Sequence, residues 1–295
     1  MDWAKQRFAQ EPQSKLRLRH YQLLTDHAIQ WDWLNWPYPE SWVETWESRK
    51  SHHWAAEGMQ IDEVLVNLGC VKAPESTIAY WLDYEKVLDR KLGQASRNPY
   101  YRPALSTGEY RSGFEAGMSQ ARAESQLGAY WVAVRPLNPA ADVFAAMQLF
   151  LHAGIDLRQT LDPLLKNERL ESVCYAAERS IKKHPYSQNP QTNATFYAGY
   201  DFAFALGMVC GLARESVFSL LSGLSGYAIA FVAELLQPGT REYISMVHQA
   251  PAFWLSQNTT AFGLPAVFQL PMHHDYSGLH TQLALTHLHS RLIGL

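Results

Sequence analysis

From Asn193 to Leu236 the chain reads NATFYAGYDFAFALGMVCGLARESVFSLLSGLSGYAIAFVAELL, and no other stretch constrains the fold as strongly. It is nearly all apolar or small, with glycines at Gly199, Gly207, Gly211, Gly223 and Gly226. Such a segment must be hidden from water, in protein or in lipid. Val217–Ala233 holds 17 residues without a charge and Phe202–Ala213 holds 12. A membrane helix needs about 20 predominantly apolar residues. The longer run reaches that length only by including Glu234, and no positive cluster flanks it. The segment is therefore expected to be a buried helix pair. Gly207-xxx-Gly211 would let two backbones approach closely.

The rest of the chain agrees with a large core. Of 295 residues, 47% are hydrophobic and only 18% charged, so much of the sequence should be buried. A net charge of -3 gives no electrostatic grip on nucleic acid or anionic lipid. Cys70, Cys174 and Cys210 lie far apart and are odd in number. That pattern fits reduced thiols in a cytoplasmic protein better than a disulfide framework. The first twenty residues carry no apolar run of the secretory kind.

Apolar residues recur mostly every three or four positions, the helical signature. Helices are expected at 16–33, 41–57, 61–68, 76–93, 109–134, 140–154, 157–166, 170–184 and 279–292. The expected pair within 193–236 adds two more, and a further segment at 241–248 follows a break at Pro238-Gly239. Period-two alternation is confined to Tyr130–Val134 and Ala266–Leu270. The predicted fold class is thus mainly α: a multi-helix globular bundle around a buried glycine-rich helix pair. Prolines 136 and 139 suggest two parts. Residues 1–135 form a Trp-rich helical part, with seven of the ten tryptophans between Trp31 and Trp81. Residues 136–295 form a helical part with buried apolar helices and a His-rich C-terminal helix. One continuous domain is the alternative.

The run RLESVCYAAERSIKKHP, then NATFYAGYDFAFALGM, then VFSLLSGLSGYAIAFVAELL resembles the late part of citrate synthases. The matched residues are Asn193, Phe196, Tyr197, Gly199, Ala205, Leu206, Gly207, Phe218, Gly226, Ala230 and Glu234. The resemblance covers about residues 169–236 and implies a shared helical packing unit. It does not carry the family's chemistry over. The catalytic aspartate of that family falls at Thr195, and neither of its histidine segments is present.

Two constellations could carry chemistry. His280 and His287, seven apart, share a helix face, and His273 and Asp275 precede them. Two imidazoles with a carboxylate suit zinc or non-haem iron, and one imidazole suits haem, so a metal ion or haem is the cofactor expectation. Half-exposed histidines on a terminal helix are the plainer reading. Trp42, Trp46, His53 and Glu57 form the second set, able to wall an apolar ligand pocket; the plainer readings are rings that fill a core and a surface ion pair between His53 and Glu57. No GxSxG, GxGxxG, Walker A or HExxH motif occurs.

Three functional readings follow. The first is a helical enzyme or binding protein for a small, largely apolar molecule, with a His-ligated metal or haem. The second is a non-catalytic citrate-synthase-like subunit acting through homo-oligomerisation or a partner. The third is a protein-interaction scaffold.

Overall fold

A computed structural model describes residues 17–34, 61–70, 87–165, 167–184, 186–251, 254, 263–271 and 279–293. Among the described residues its framework is a seven-stranded sheet, not a helical bundle. The strands are β1 (Arg17–Thr25), β2 (Ile61–Gly69), β3 (Val87–Asp89), β4 (Ala129–Pro136), β5 (Phe218–Leu221), β6 (Ile244–Gln249) and β7 (Ala266–Pro271). They lie in the order β3-β2-β1-β4-β5-β6-β7. Every pairing is parallel.

Parallel strands need long crossovers, and helices supply them. The helices are α1 (Ala28–Asp32), α2 (Thr107–Gln126), α3 (Pro139–Ala153), α4 (Leu157–Leu161), α5 (Asn167–Lys183), α6 (Pro190–Phe196), α7 (Tyr200–Arg214), α8 (Gly223–Leu236) and α9 (Leu279–Ile293). One sheet face meets α2, α3, α7 and α8 in a large apolar core that includes Tyr21, Leu23, Val66, Val132 and Leu221. The other face presents Leu18, Ile61, Trp131, Ala133, Leu220 and Val247 to Ala284 and Leu285 of α9.

The expected mainly α class is therefore corrected to α/β. Strands buried on both faces lose the alternation that marks a half-exposed strand. β4, AYWVAVRP, is buried at every position. The helix expected at 16–33 is instead β1 followed by the single turn of α1, and the one expected at 61–68 is β2. The apolar run from Val217 is not one helix. It is β5, a turn at Ser222 with Gly223 at φ +69°, and then α8. The expected strands at 130–134 and 266–270 form as parts of β4 and β7. β4 runs through the stretch where two parts were expected to divide, and it pairs with strands from both.

The partner of the glycine-bearing α7 is α2, which lies far earlier in the chain. A β-carbon at Gly207 would overlap the Phe114 carbonyl oxygen, and one at Gly117 would overlap that of Phe204. Each helix thus uses a glycine to seat the other's backbone. Among the described residues no helix is long and apolar enough to cross a membrane.

Candidate active site at the carboxyl edge

The strand order fixes where a site belongs. From β1 the chain moves outward through β2 and β3, and from β4 it moves the opposite way through β5, β6 and β7. The connections leaving β1 and β4 therefore diverge, and this divergence places the expected crevice at the carboxyl ends of those two neighbours. In open parallel sheets ligands bind at this switch point.

Three local structures build it. After β1, Asp26 and His27 lead into α1. After β4, Leu137 and Asn138 lead into α3, where Asn138 is the N-cap and Pro139 the first helical residue. Asn138 Oδ1 accepts the Ala140 amide at 2.9 Å, while its Nδ2 donates to the Thr25 carbonyl at 2.9 Å and to Gln30 Oε1 at 2.6 Å. One side chain thus ties both lips of the crevice. After β5, the Ser222–Gly223 turn starts α8, and the Ser225 amide donates to Asp142 Oδ1 of α3 at 3.2 Å. The amino ends of α3 and α8 both point to the carboxyl edge, where their dipoles favour negative charge.

His27 is fully buried beside this crevice. The Ser96 hydroxyl lies 2.7 Å from its Nδ1, and its Nε2 lies 3.1 Å from Asp201 Oδ2. A hydroxyl donating to Nδ1 and Nε2–H donating to the carboxylate satisfies all three groups. Asp201 Oδ1 also accepts the Phe202 amide at 2.8 Å. A β-carbon at Gly199 would overlap the His27 ring, so the glycine makes the seat. The series resembles a nucleophile relay in composition only. The amides that could stabilise an oxyanion at Ser96 are spent: Ser96 N–H donates to the Asp26 carbonyl and Arg97 N–H to that of Ala104. The relay positions α7 and the 95–98 loop against the end of β1.

That loop borders a cavity of about 420 Å³, lined by Ala28, Asp32, Ser96, Asn98, Tyr101 and Arg102 among others. Asn98 Nδ2 donates to Asp32 Oδ2 at 2.6 Å. Arg97 grips the Glu109 carboxylate with both terminal nitrogens. That contact is the main reason the Glu109 carboxyl is held down at about 2. Glu109 completes the α2 capping box with Ser106.

Of the sequence-derived candidates, His280 and His287 are described, and both lie on α9. His280 is half-buried, with Nδ1 3.2 Å from His248 Nε2 of β6. His287 is exposed two turns further along α9, about 10 Å of helix rise away. The structure does not bring them together. His273, Asp275, Trp42, Trp46, His53 and Glu57 lie outside the described residues. Among the described residues no three His, Cys, Asp or Glu side chains gather as metal ligands would. Thr195 hydrogen-bonds the Gln191 carbonyl at 2.8 Å, an ordinary contact within α6. His27, Gln30, Asn138 and Asp201 were missed. The one sequence signal that could have marked any of them is the Asn138-Pro139 cap pattern after the apolar run of β4.

The parallel sheet with helices packed on both faces defines a doubly wound α/β protein. The phosphoribosyltransferase family model DBI_PRT matches residues 52–278, well over half of the chain. The chain belongs to that family, and the likeness to citrate synthases is overturned. With it go the three readings drawn from the sequence: the His-metal or haem protein, the citrate-synthase-like subunit and the scaffold.

Among curated proteins, the chain is similar to the nicotinate-nucleotide–dimethylbenzimidazole phosphoribosyltransferase of Ralstonia nicotianae. The two are 21% identical over 188 residues, 63% of this chain and 53% of that protein. The enzyme of the same name from Clostridium perfringens is 22% identical over 191 residues, 64% of this chain and 53% of that protein. These matches span about half the length of the relatives. Among solved structures, CobT from Thermus thermophilus superposes with a TM-score of 0.74 at 18% identity, covering 95% of this chain and 84% of that one. At that identity the likeness speaks for the fold.

Proposed function

We propose that this chain transfers a phosphoribosyl group from a nicotinate nucleotide to an aromatic base of the dimethylbenzimidazole type, at the crevice between the ends of β1 and β4. The observation that carries this reading is the family match across 52–278, which takes in every strand from β2 to β7. The geometry supports it. The crevice lies where open parallel sheets take nucleotides, and two helix amino termini there favour a phosphate.

In the reaction the bond from C1′ to the pyridine nitrogen breaks, and its electron pair stays with nicotinate. A benzimidazole nitrogen forms the new bond to C1′, and the proton on the other ring nitrogen leaves to solvent or a base. Positive charge on the ring nitrogen of the donor is thereby discharged without a cofactor. Asn138 holds the crevice lips at fixed separation, the kind of preorganisation that lowers the barrier by positioning.

The test is to incubate the purified chain with nicotinate mononucleotide and dimethylbenzimidazole and follow both products by chromatography. Release of nicotinate matched by equal formation of the benzimidazole ribotide, dependent on both substrates, is the expected result. No turnover at stoichiometric protein, together with no binding of the nucleotide by calorimetry, would overturn the reading.

A further inference from the structure

Gln30 sits on α1 beside Asn138, between the ends of β1 and β4, fully buried, and its Nε2 has no hydrogen-bond partner. An unpaired buried amide N–H carries its desolvation cost uncompensated, so such a group asks for an explanation. Its orientation is not arbitrary. Asn138 must turn Oδ1 toward the Ala140 amide to cap α3, which leaves Nδ2 to donate to the Thr25 carbonyl and to Gln30. A donor facing Gln30 requires the Gln30 oxygen in return. The Gln30 nitrogen is thereby forced away from Asn138. The network spends the acceptor and leaves an unpaired donor next to the β1–β4 switch point, where open parallel sheets bind ligands.

We infer that Gln30 is a specificity-determining residue that donates Nε2–H to an oxygen acceptor on the aromatic acid of the substrate, the carboxylate of the nicotinate ring. The inference rests on the proposed phosphoribosyl transfer. A carboxamide NH₂ can only donate, so the matching group must be an acceptor. A neutral donor in a dry site serves a flat carboxylate well, because a hydrogen bond to a charged group is the stronger kind. The substrate's phosphate is better matched to the helix termini of α3 and α8. The ring acid is the acceptor left for α1.

The experiment measures binding by calorimetry of nicotinate mononucleotide and of ribose 5-phosphate, which lacks the ring. The proteins are the wild type, Gln30→Glu and Gln30→Leu. Gln30→Glu keeps an oxygen for Asn138 and removes the donor, so the Asn138 bridge is retained while an anion meets the carboxylate. Both variants should weaken the nucleotide roughly tenfold or more, the worth of one lost charge-assisted hydrogen bond. Ribose 5-phosphate should be unaffected. Equal weakening of both ligands would place the contact on the sugar phosphate and overturn the ring assignment. Unchanged nucleotide affinity, with Gln30→Leu more heat-stable than wild type, would mean that the amide meets buried water alone, and would also overturn it. Wild type that binds the nucleotide while the variants match it defeats only this inference. Wild type that binds neither ligand defeats the proposed function as well.

Discussion

His27 Nε2 and Asp201 Oδ2 lie 3.1 Å apart with both side chains fully buried, although 174 positions separate them in the chain. The contact joins the end of β1 to the first turn of α7, two elements that only the crossovers bring together. Removing the carboxylate in Asp201→Ala strands His27 Nε2 and frees the Phe202 amide. The expected loss is about 1–3 kcal/mol, the cost of leaving buried groups unsatisfied. Asp201→Asn retains an acceptor and should lose less. Urea unfolding of the two variants beside wild type measures the difference, and equal stability of all three would show that the relay contributes nothing.

The α2–α7 interface makes a second prediction. At Gly117 and Gly207 the clashing atoms are backbone carbonyl oxygens of the opposite helix, which cannot swing aside as a side chain could. Gly207→Ala and Gly117→Ala should each destabilise by about 1–3 kcal/mol, the usual cost of overpacking. Gly108→Ala, in the first turn of α2 with open space around it, should be neutral or mildly stabilising. Thermal melts of the three variants test this, and loss at Gly108 equal to that at Gly207 would contradict it.

What the sequence revealed, and what it hid, follows from the same packing. The helix expected at 140–154 forms as α3, with Gly154 ending it in the left-handed conformation, φ 68°. The helices at 170–184 and 279–292 form as α5 and α9. These have capping signals or one polar face. β1 and β2 do not. His20, Gln22 and Glu63 are polar yet buried, because His20, Gln22 and Gln282 all turn a nitrogen to Glu63 Oε1 beneath α9. Polar residues inside a buried strand break the apolar pattern that would identify it. β5 was hidden for the opposite reason: a four-residue strand, three of them apolar, runs almost directly into an apolar helix. Gly223 marked that junction, but its glycine reads equally well as helix packing. The site residues come from α1, α3 and α7. No spacing rule links them, since their proximity is a property of strand order.

A pH dependence follows from His152, which burial holds down at about 4. Asn193 Nδ2 lies 3.3 Å from His152 Nε2, so the ring accepts there only while that nitrogen is unprotonated. The unfolded chain takes up a proton near the ordinary histidine value of about 6.5. Between the two values the unfolded state binds more protons, so stability falls as pH drops through this window. His152→Gln should flatten the change in melting temperature between pH 7 and pH 5 relative to wild type. An unchanged pH slope in the variant would show that His152 stays hydrated in the folded protein.

Asn138 carries two duties that substitution can separate. As the N-cap of α3 it needs only a side-chain oxygen for the Ala140 amide, and Asn138→Asp supplies one. As the bridge across the crevice it needs Nδ2, which Asn138→Asp lacks. Asn138→Asp would therefore keep the helix start, leave the Thr25 carbonyl and Gln30 Oε1 without their donor, and place an anion among acceptors. Asn138→Ala loses the cap as well, which adds about 1 kcal/mol. The expected order of stability is wild type, then Asn138→Ala, with Asn138→Asp at or below it, because a buried carboxylate facing acceptors costs more than a missing cap. If capping were the whole role, Asn138→Asp would instead match wild type in urea. The same two variants should both impair nucleotide binding, since each releases Gln30 from its fixed orientation. Retention of full affinity in Asn138→Ala would show that the crevice lips keep their spacing without the bridge.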